Sequence, residues 1–252
     1  MQIRQDAWLS DRFGHPLFSV VAVDADDDVA AAVAAHAAEQ GAASYQSKAA
    51  TEEVGVVARL TAAGFGVVNT TVTLARAPGD EAGGAEPEGI EVVESSDAHG
   101  EALLALAERS FSASRFHLDP AIPDRVADAV KRAWVQSYLD GSRGEGLLVA
   151  LREREPVGFL AVLAVDDGAG EDRRRVRVID LTAVAPEQRG AGAGAALVDR
   201  FLADARGRCE LVRVGSQAAN ERAIAFYEDQ GFRVESTAYD LHLHVGDVWP
   251  GE

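Results

Sequence analysis

Lysine, cysteine and long apolar runs are all scarce in this chain of 252 residues. Only two of its 24 basic residues are lysines, Lys48 and Lys131, whereas Asp and Glu together number 41 and give a net charge of -17. Such an acidic surface repels nucleic acid and anionic membranes, so neither is expected as a partner. A high-salt cytoplasm is one setting that would favour this composition, and the sequence leaves that explanation open.

The single cysteine, Cys209, excludes an internal disulfide. No run of about eighteen uninterrupted apolar residues occurs, so no transmembrane helix is predicted. The N-terminal stretch MQIRQDAWLSDRFG has no apolar core of the kind a signal peptide needs. We therefore expect a cytoplasmic protein. Because 47% of the residues are hydrophobic, the chain is long and apolar enough for one or two packed domains.

Residues 77–89 (APGDEAGGAEPEG) combine acids, glycines and prolines without apolar periodicity, which is typical of a linker. This stretch predicts a smaller N-terminal α/β accessory domain at residues 1–76 and a larger domain at residues 90–252. In the first segment the predicted strands are Pro16–Val23, Ser44–Lys48 and Phe65–Leu74, and the predicted helices are Asp24–Gln40 and Thr51–Ala63.

The segment after the linker has a more regular order of strands and helices. Its predicted strands are Ile90–Val93, Leu147–Leu151, Val157–Val165, Val176–Val184, Leu211–Gly215 and Val234–His244. Its predicted helices are Ser96–Ser110, Pro123–Leu139, Gly192–Arg206 and Asn220–Gln230. This order predicts an α/β (α+β) fold with a mixed sheet.

The most informative stretch follows the strand that ends at Val184. After a turn containing proline, the chain reads Arg189-Gly190-Ala191-Gly192-Ala193-Gly194 and then enters a helix. Small residues let a phosphate approach the backbone closely, and the free N–H groups and dipole of a helix N-terminus favour an anion. A glycine-rich loop without a ligand is the alternative. A dinucleotide fingerprint would need an earlier βαβ unit, and a P-loop would need GK[ST]; both are absent.

Two motifs together resemble those of the GNAT superfamily of N-acetyltransferases. Arg189-x-x-Gly192-x-Gly194 is similar to the acetyl-CoA signature of that superfamily. NERAIAFYEDQGF, residues 220–232, is similar to its second signature, and the resemblance extends over residues 90–245. It implies a GNAT fold with a mixed, mostly antiparallel sheet, acetyl-CoA as co-substrate and no metal.

The resemblance also implies roles for individual residues. The CoA pyrophosphate would be held by backbone N–H groups of the glycine-rich loop, namely those of Arg189, Gly190, Ala191, Gly192, Ala193 and Gly194. The strand end formed by Leu181, Thr182, Ala183 and Val184 would diverge from Leu211–Gly215, pair with pantetheine and polarise the thioester carbonyl.

Two residues of the second signature would complete this site. Asn220 would hydrogen-bond the pantetheine arm, and Tyr227 would protonate the leaving thiolate. Their spacing of seven residues places them on one helix face. A plain N-cap is the alternative for Asn220, and a half-buried packing residue is the alternative for Tyr227.

Proton removal from the attacking amine needs a base that acts directly or through water. Asp180, in the strand leading to the glycine-rich loop, is the candidate. Its alternatives are a salt bridge with the cluster Arg173–Arg175 and a charge at the edge of the sheet. Asn69 could orient a water molecule but cannot be a base.

The acceptor is predicted from the loop FSASRFHLDP, residues 111–120, in which Arg115, Phe116 and His117 are candidate ligands together with Asn69. Four stretches resemble one narrower group, the dTDP-fucosamine (dTDP-4-amino-4,6-dideoxygalactose) acetyltransferases. They are this loop, RVGSQAAN, VESTAY and GFGVVNTTVTL. Asn69 departs from the pattern, because an acid is expected there. The resemblance implies a dTDP-amino sugar as the small-molecule amine acceptor. A protein, a peptide, another small amine and a non-catalytic acyl-CoA-binding module stay open as alternatives, as does a homodimer.

His242 and His244 lie two residues apart on one predicted strand face, a spacing that superficially suits a metal. No third ligand accompanies them in the sequence, so a strand-surface or interface role is expected. His15, His36 and His99 are expected to be ordinary surface or turn residues.

Overall fold

The computed structural model describes residues 1–79, 87–168 and 173–249. Within these ranges ten strands form one sheet in the order β1-β2-β3-β10-β4-β9-β8-β7-β6-β5. Only the pairs β2–β3 and β8–β9 are parallel, and the others are antiparallel. The predicted mixed, mostly antiparallel sheet is therefore confirmed.

The strands are β1 (Gln2–Gln5), β2 (Leu17–Val21), β3 (Ala43–Ala50), β4 (Gly66–Arg76), β5 (Glu91–Glu94), β6 (Gly146–Arg152), β7 (Glu155–Asp167), β8 (Arg174–Val184), β9 (Leu211–Gln217) and β10 (Arg233–Val245). The helices are α1 (Ala7–Phe13), α2 (Val29–Gln40), α3 (Val54–Ala62), α4 (Gly100–Ser110), α5 (Asp124–Leu139), α6 (Ala193–Ala205) and α7 (Glu221–Asp229). None of the described helices is long and apolar enough to cross a membrane.

Both faces of the sheet are covered because its central strands are apolar on both sides. In β6, Leu147 and Val149 pack in the cluster that contains residues of α4 and α5, whereas Leu148 and Ala150 pack with α6 and α7. This alternation follows from the two-residue period of a strand. We call the side that carries α4 and α5 the α5 face. It is opposite the side on which the glycine-rich helix α6 packs.

The sheet continues across the boundary predicted from the linker. The C-terminal strand β10 lies between β3 and β4, and β4 also pairs with β9. The division into domains at residues 1–76 and 90–252 stays a prediction. Of the predicted linker 77–89, residues 80–86 lie outside the described residues.

The N-terminal strand β1 and helix α1 were not predicted. Asp6 caps α1 through a hydrogen bond from the Leu9 N–H to its side chain, and Gly14 ends the helix with a φ of 73°. Both are ordinary capping signals in the sequence. Helix α1 contacts α5 and packs Leu9 and Phe13 into a cluster with Phe116. The N-terminal residues therefore support the loop that precedes α5.

Candidate active site

Strands β8 and β9 separate partway along their length. Their parallel pairing runs from Val176 opposite Leu211 to Ile179 opposite Val214, and no further pair between them is found among the described residues. Beyond this point, among the described strands, residues 181–184 pair with β7 alone and residues 215–217 pair with β4 alone. We call the opening between these two segments the cleft. The facing backbone groups of its edges are free to pair with an extended ligand.

One end of the cleft meets the N-terminus of α6. After β8 the chain makes a short 3-10 turn, Pro186–Gln188, and then passes through Gly190 and Gly192 with positive φ values of 79° and 88°. A Cβ at Gly192 would lie 2.7 Å from ring atoms of Pro87, so glycine is required there both for the conformation and for space. In the part of the chain that the structure describes, no side chain caps α6. Its first N–H groups are therefore open to an anion, as the sequence predicts.

Arg152 adds a cation to this end of the cleft, although no sequence pattern indicated it. It ends β6, and its Nη2 donates a hydrogen bond of 3.4 Å to the carbonyl of Ala191. Its Nε is buried without a partner among the described residues. The strand that carries it lies far from residues 189–194 in the sequence, so only the sheet order brings them together. A phosphate at the α6 N-terminus would have this guanidinium beside it.

Asn220 and Tyr227 both belong to α7. The Asn220 side chain accepts a hydrogen bond from the Ala223 N–H at 3.3 Å, so it is the N-cap of the helix. Tyr227 is 3% exposed and its ring contacts Phe226 and Phe232 edge to face. Burial raises the pKa of Tyr227, so its hydroxyl keeps its proton at neutral pH. That is the state a general acid needs. The roles of both residues toward acetyl-CoA stay predictions.

Asp180 occupies a β-bulge at the point where the cleft opens. Ala161 is opposite Leu181 and Val162 is opposite Ile179, which leaves Asp180 as the extra residue of β8. A bulge redirects the side chain of the inserted residue. Here the carboxylate turns toward helix α5 on the α5 face.

The Asp180 carboxylate is held by three side chains. Its Oδ2 accepts hydrogen bonds from Trp134 Nε1 at 2.8 Å, from the Tyr138 hydroxyl at 2.7 Å and from Arg143 Nε at 2.7 Å. Arg143 Nη2 reaches Oδ1 at 3.2 Å. Burial alone would raise the pKa of Asp180. The hydrogen bonds outweigh this effect, so the pKa lies below its ordinary value. The carboxylate is therefore a stabilised anion and a weak base.

The predicted alternative for Asp180, a salt bridge with Arg173–Arg175, is wrong. Those arginines pair with Asp166, Asp167 and Glu210 instead. The partner of Asp180 is Arg143, which follows α5 and is far away in the sequence.

Two of the predicted acceptor ligands are enclosed by the protein. Phe116 is 1% exposed and packs against Phe13 in the core below α5. His117 is buried, and its two ring nitrogens bond to Ser114 Oγ at 2.7 Å and to Asp128 at 3.0 Å. The prediction that these two side chains line an acceptor pocket is therefore wrong, because neither offers a free surface.

Arg115 differs from its neighbours in the same loop. Its guanidinium lies 4.4 Å from the centroid of the Phe116 ring, and the Arg115 side chain is only partly covered. Burial lowers the pKa of Arg115, while the nearby Asp240 and Asp6 raise it. A guanidinium keeps its charge and can bind a phosphate or carboxylate through two parallel donors. Its role as an acceptor ligand stays a prediction.

The acid expected at position 69 is present on the neighbouring strand. Asn69 is buried, and its Nδ2 donates to Asp240 Oδ2 at 2.7 Å and to Thr71 Oγ1 at 3.1 Å. The Thr71 hydroxyl also donates to Asp240 Oδ2, at 2.5 Å. Asn69 and Asp240 are directly opposite each other on β4 and β10. The sequence could not reveal this pair, because the position of β10 in the sheet is a tertiary feature.

Lys131 is a buried amine of helix α5, on the α5 face of the sheet. Its Nζ lies 5.1 Å from the ring centroid of Phe111 and 4.9 Å from that of Trp134. Burial and the positive charge of Arg115 lower the pKa of Lys131 to about 7, although Asp180 opposes the shift. Close to neutral pH this lysine is therefore only partly charged.

His242 and His244 do have a third potential ligand, so the expectation that none accompanies them is wrong. Asp119, from the loop before α5, accepts a hydrogen bond at its Oδ2 from each of them. His15, expected to be an ordinary surface or turn residue, is joined to His244 through Ser44.

Comparison with known proteins identifies the fold and the family. The profile of the acetyltransferase (GNAT) family matches residues 102–232, just over half of the chain. A GCN5-related N-acetyltransferase from Sphaerobacter thermophilus has a similar fold, with a TM-score of 0.61 at 16% identity over 96% of this chain and 75% of that one. A tandem GNAT protein from the clavulanic acid biosynthesis pathway is similar with a TM-score of 0.59 at 15% identity, over 95% and 77% of the two chains.

A sequence relative adds a biological context. The spore coat polysaccharide biosynthesis protein SpsD of Bacillus subtilis is 31% identical over 153 residues. The match covers 60% of this chain and 48% of that protein, so the chain matches about half of its relative's length. The cleft, the glycine-rich loop and the family profile agree, and the chain belongs to the acetyltransferase (GNAT) family.

Proposed function

We propose that this enzyme transfers the acetyl group of acetyl-CoA to the primary amine of a nucleotide-linked amino sugar. The observation that carries the first half of the proposal is the cleft that ends at the uncapped N-terminus of α6. It offers free strand edges for an amide-containing arm and an anion site at one end. Pantetheine and the pyrophosphate of CoA have this order of chemical groups.

In this proposal the backbone holds most of acetyl-CoA. The N–H groups of residues 189–194 bind the pyrophosphate, with Arg152 beside them. The strand end 181–184 pairs with pantetheine, and one of its N–H groups polarises the thioester carbonyl. Backbone donors are suited to this chain because its net charge of -17 gives an anion no long-range attraction.

The chemical step is attack by a neutral amine on the thioester carbon. The C–N bond forms, the C–S bond breaks, and the thiolate takes a proton from the Tyr227 hydroxyl. The amine gives up its own proton to water, and the Tyr227 phenolate regains a proton from solvent. Because Asp180 is a weak base with four hydrogen bonds, we assign it a positioning role. It fixes Trp134, Tyr138 and Arg143 beside the opening of the cleft.

The acceptor half of the proposal is supported by two features. The relative from Bacillus subtilis is named for polysaccharide biosynthesis. On the α5 face, Arg115 and Lys131 place positive charge on an otherwise acidic protein. A sugar linked to a nucleoside diphosphate carries both the negative charge that suits these groups and the amine to be acetylated.

We expect acetyl-CoA to stabilise the protein against heat. At about a hundred times its dissociation constant, a ligand adds about 2.7 kcal/mol to the free energy of unfolding. Ala191→Glu places a carboxylate next to the anion site and should remove most of this stabilisation, whereas Ala191→Gln should retain it. Differential scanning fluorimetry with and without acetyl-CoA makes the comparison. Equal shifts in the two variants would show that the anion site does not hold the CoA phosphates.

We expect dTDP-amino sugars to be acetylated in preference to free amino sugars, peptides and polyamines. Arg115→Ala should raise the KM for the nucleotide sugar about tenfold or more, which corresponds to the loss of one charge-assisted hydrogen bond. The KM for acetyl-CoA should stay unchanged. Arg132→Ala is the matched control, because Arg132 lies on α5 and its guanidinium pairs with Glu101 and Glu108 of α4.

The same panel of acceptors distinguishes the alternatives. Turnover of peptides or polyamines without turnover of any nucleotide sugar would contradict the proposed acceptor and leave acetyl transfer intact. Binding of acetyl-CoA without transfer to any amine would indicate a non-catalytic acyl-CoA-binding module.

A further inference from the structure

We propose that Asp119, His242 and His244 bind a divalent transition-metal ion, with zinc as the first candidate. One potential ligand atom from each residue lies within 4.8 Å of the others. His242 and His244 come from alternate positions of β10, and Asp119 comes from the loop between α4 and α5. The site does not depend on the acetyl-transfer proposal.

The donor set has the chemistry of a zinc site. Two imidazole nitrogens and one carboxylate oxygen suit zinc and other first-row transition metals, whereas magnesium and calcium prefer oxygen ligands alone. His242 Nδ1 lies 2.7 Å and His244 Nε2 lies 2.9 Å from the same oxygen, Asp119 Oδ2. A metal bound at ordinary distances would place its ligand atoms about 3.0–3.4 Å apart. The two His–Asp distances need to lengthen by about half an ångström to reach that spacing, and all three ligand atoms already lie within 4.8 Å of one another.

Two of the proposed ligands, Asp119 and His244, are each oriented by a second hydrogen bond. Asp119 Oδ1 accepts a hydrogen bond from the Ala121 N–H at 3.0 Å, which leaves Oδ2 facing the imidazoles. His244 Nδ1 bonds to Ser44 Oγ at 2.7 Å, and Ser44 Oγ in turn bonds to His15 Nε2 at 2.7 Å. Partners of this kind fix the ring orientation of metal-binding histidines and the position of metal-binding carboxylates.

Burial also favours a cation at this position. Asp119 and His242 are 4% and 6% exposed, and the Phe116 ring stacks on His242. An anionic carboxylate enclosed in this way is costly unless positive charge accompanies it. A bound metal supplies that charge and connects β10 to the loop before α5.

The test measures metal binding by the full chain after treatment with a chelator and desalting. We expect one zinc ion per chain in a competition titration with a chromogenic chelator, and a visible d–d absorption when cobalt replaces zinc. With free zinc at about a hundred times its dissociation constant, Tm should rise by about 5–10 °C. Magnesium at the same concentration should leave Tm unchanged. An unchanged Tm and no stoichiometric binding of zinc or cobalt would overturn the proposal, and the three residues would then be a metal-free hydrogen-bond network.

Variants locate the site. Asp119→Asn and His244→Gln should abolish stoichiometric binding, and Ser44→Ala should weaken it about 10–100-fold by releasing His244. Since Ser44 is not a ligand, its variant keeps the test valid if the ligand variants do not fold. His99→Gln is the matched control, because it removes an imidazole at a helix start where glutamine can also cap. Equal loss in His99→Gln, or full binding by Ser44→Ala and His244→Gln, would contradict the assignment.

Discussion

Replacing Tyr227 with phenylalanine is expected to lower kcat about 10²–10⁴-fold, which is the usual contribution of a general acid. The substitution keeps the ring, whose contacts with Phe226 and Phe232 hold it in the core, and removes only the hydroxyl. Because burial raises the pKa of Tyr227, the hydroxyl is protonated over the whole neutral range and can donate to the departing sulfur. The dissociation constant of acetyl-CoA should change by much less than kcat.

The control for this prediction is a second buried tyrosine. Tyr45 lies on β3, its hydroxyl bonds to His36 at 3.0 Å, and burial raises its pKa as well. Tyr45→Phe should leave kcat unchanged. Single-turnover measurements show whether chemistry limits the rate. An unchanged rate of the chemical step in Tyr227→Phe would reduce Tyr227 to a packing residue.

Replacing Lys131 with methionine is expected to stabilise the protein by about 3 kcal/mol at pH 7. Burial next to Arg115 lowers the pKa of Lys131 from 10.5 to about 7, and a shift of that size corresponds to about 5 kcal/mol. The lost contacts of the ammonium with the rings of Phe111 and Trp134 offset part of the gain. Methionine fills a similar volume without a charge.

The sign of the pH dependence follows from proton binding. Between pH 7 and pH 10.5 the unfolded chain holds a proton on Lys131 that the folded chain has released, so the wild-type protein gains stability as the pH rises. The stability gained in this way is complete above the pKa of Lys131 in the unfolded chain. It is lost as the pH falls through the pKa of Lys131 in the folded protein. The stability advantage of Lys131→Met should therefore shrink to about 1 kcal/mol at pH 10.

Urea denaturation at pH 7 and pH 10 measures both quantities. The control is the only other lysine, Lys48, which is exposed and lies 4.0 Å from Asp240. Lys48→Met should change the free energy of unfolding by less than about 0.5 kcal/mol. An advantage of Lys131→Met that is the same at both pH values would show that the buried charge is not its cause.

The features that the sequence revealed are local ones. The glycines at 190 and 192, the helix that follows them and the Asn220 cap depend on neighbouring residues, and the structure has each of these elements where it was predicted. The strands predicted for the second segment also lie close to their predicted positions. Helix α1 was missed although its caps, Asp6 and Gly14, are visible in the sequence, because its seven residues are too few for a clear period.

The features that the sequence did not reveal depend on distant contacts. The extra residue in β8 turns Asp180 toward Arg143, and no local pattern encodes that bulge. Phe116 and His117 have residue types suited to a ligand, but their burial is decided by the packing of α1 against α5. Asp119 meets His242 only because β10 lies beside β3 and β4.

Hydrogen–deuterium exchange with and without acetyl-CoA tests most directly the claim that the co-substrate lies between β8 and β9. Amides without a partner in the free protein exchange rapidly, and pairing with a bound ligand protects them. The account predicts new protection in residues 181–184 and 189–194, with little change in β1 and α2. Protection confined to other segments, or none at saturating acetyl-CoA, would contradict it.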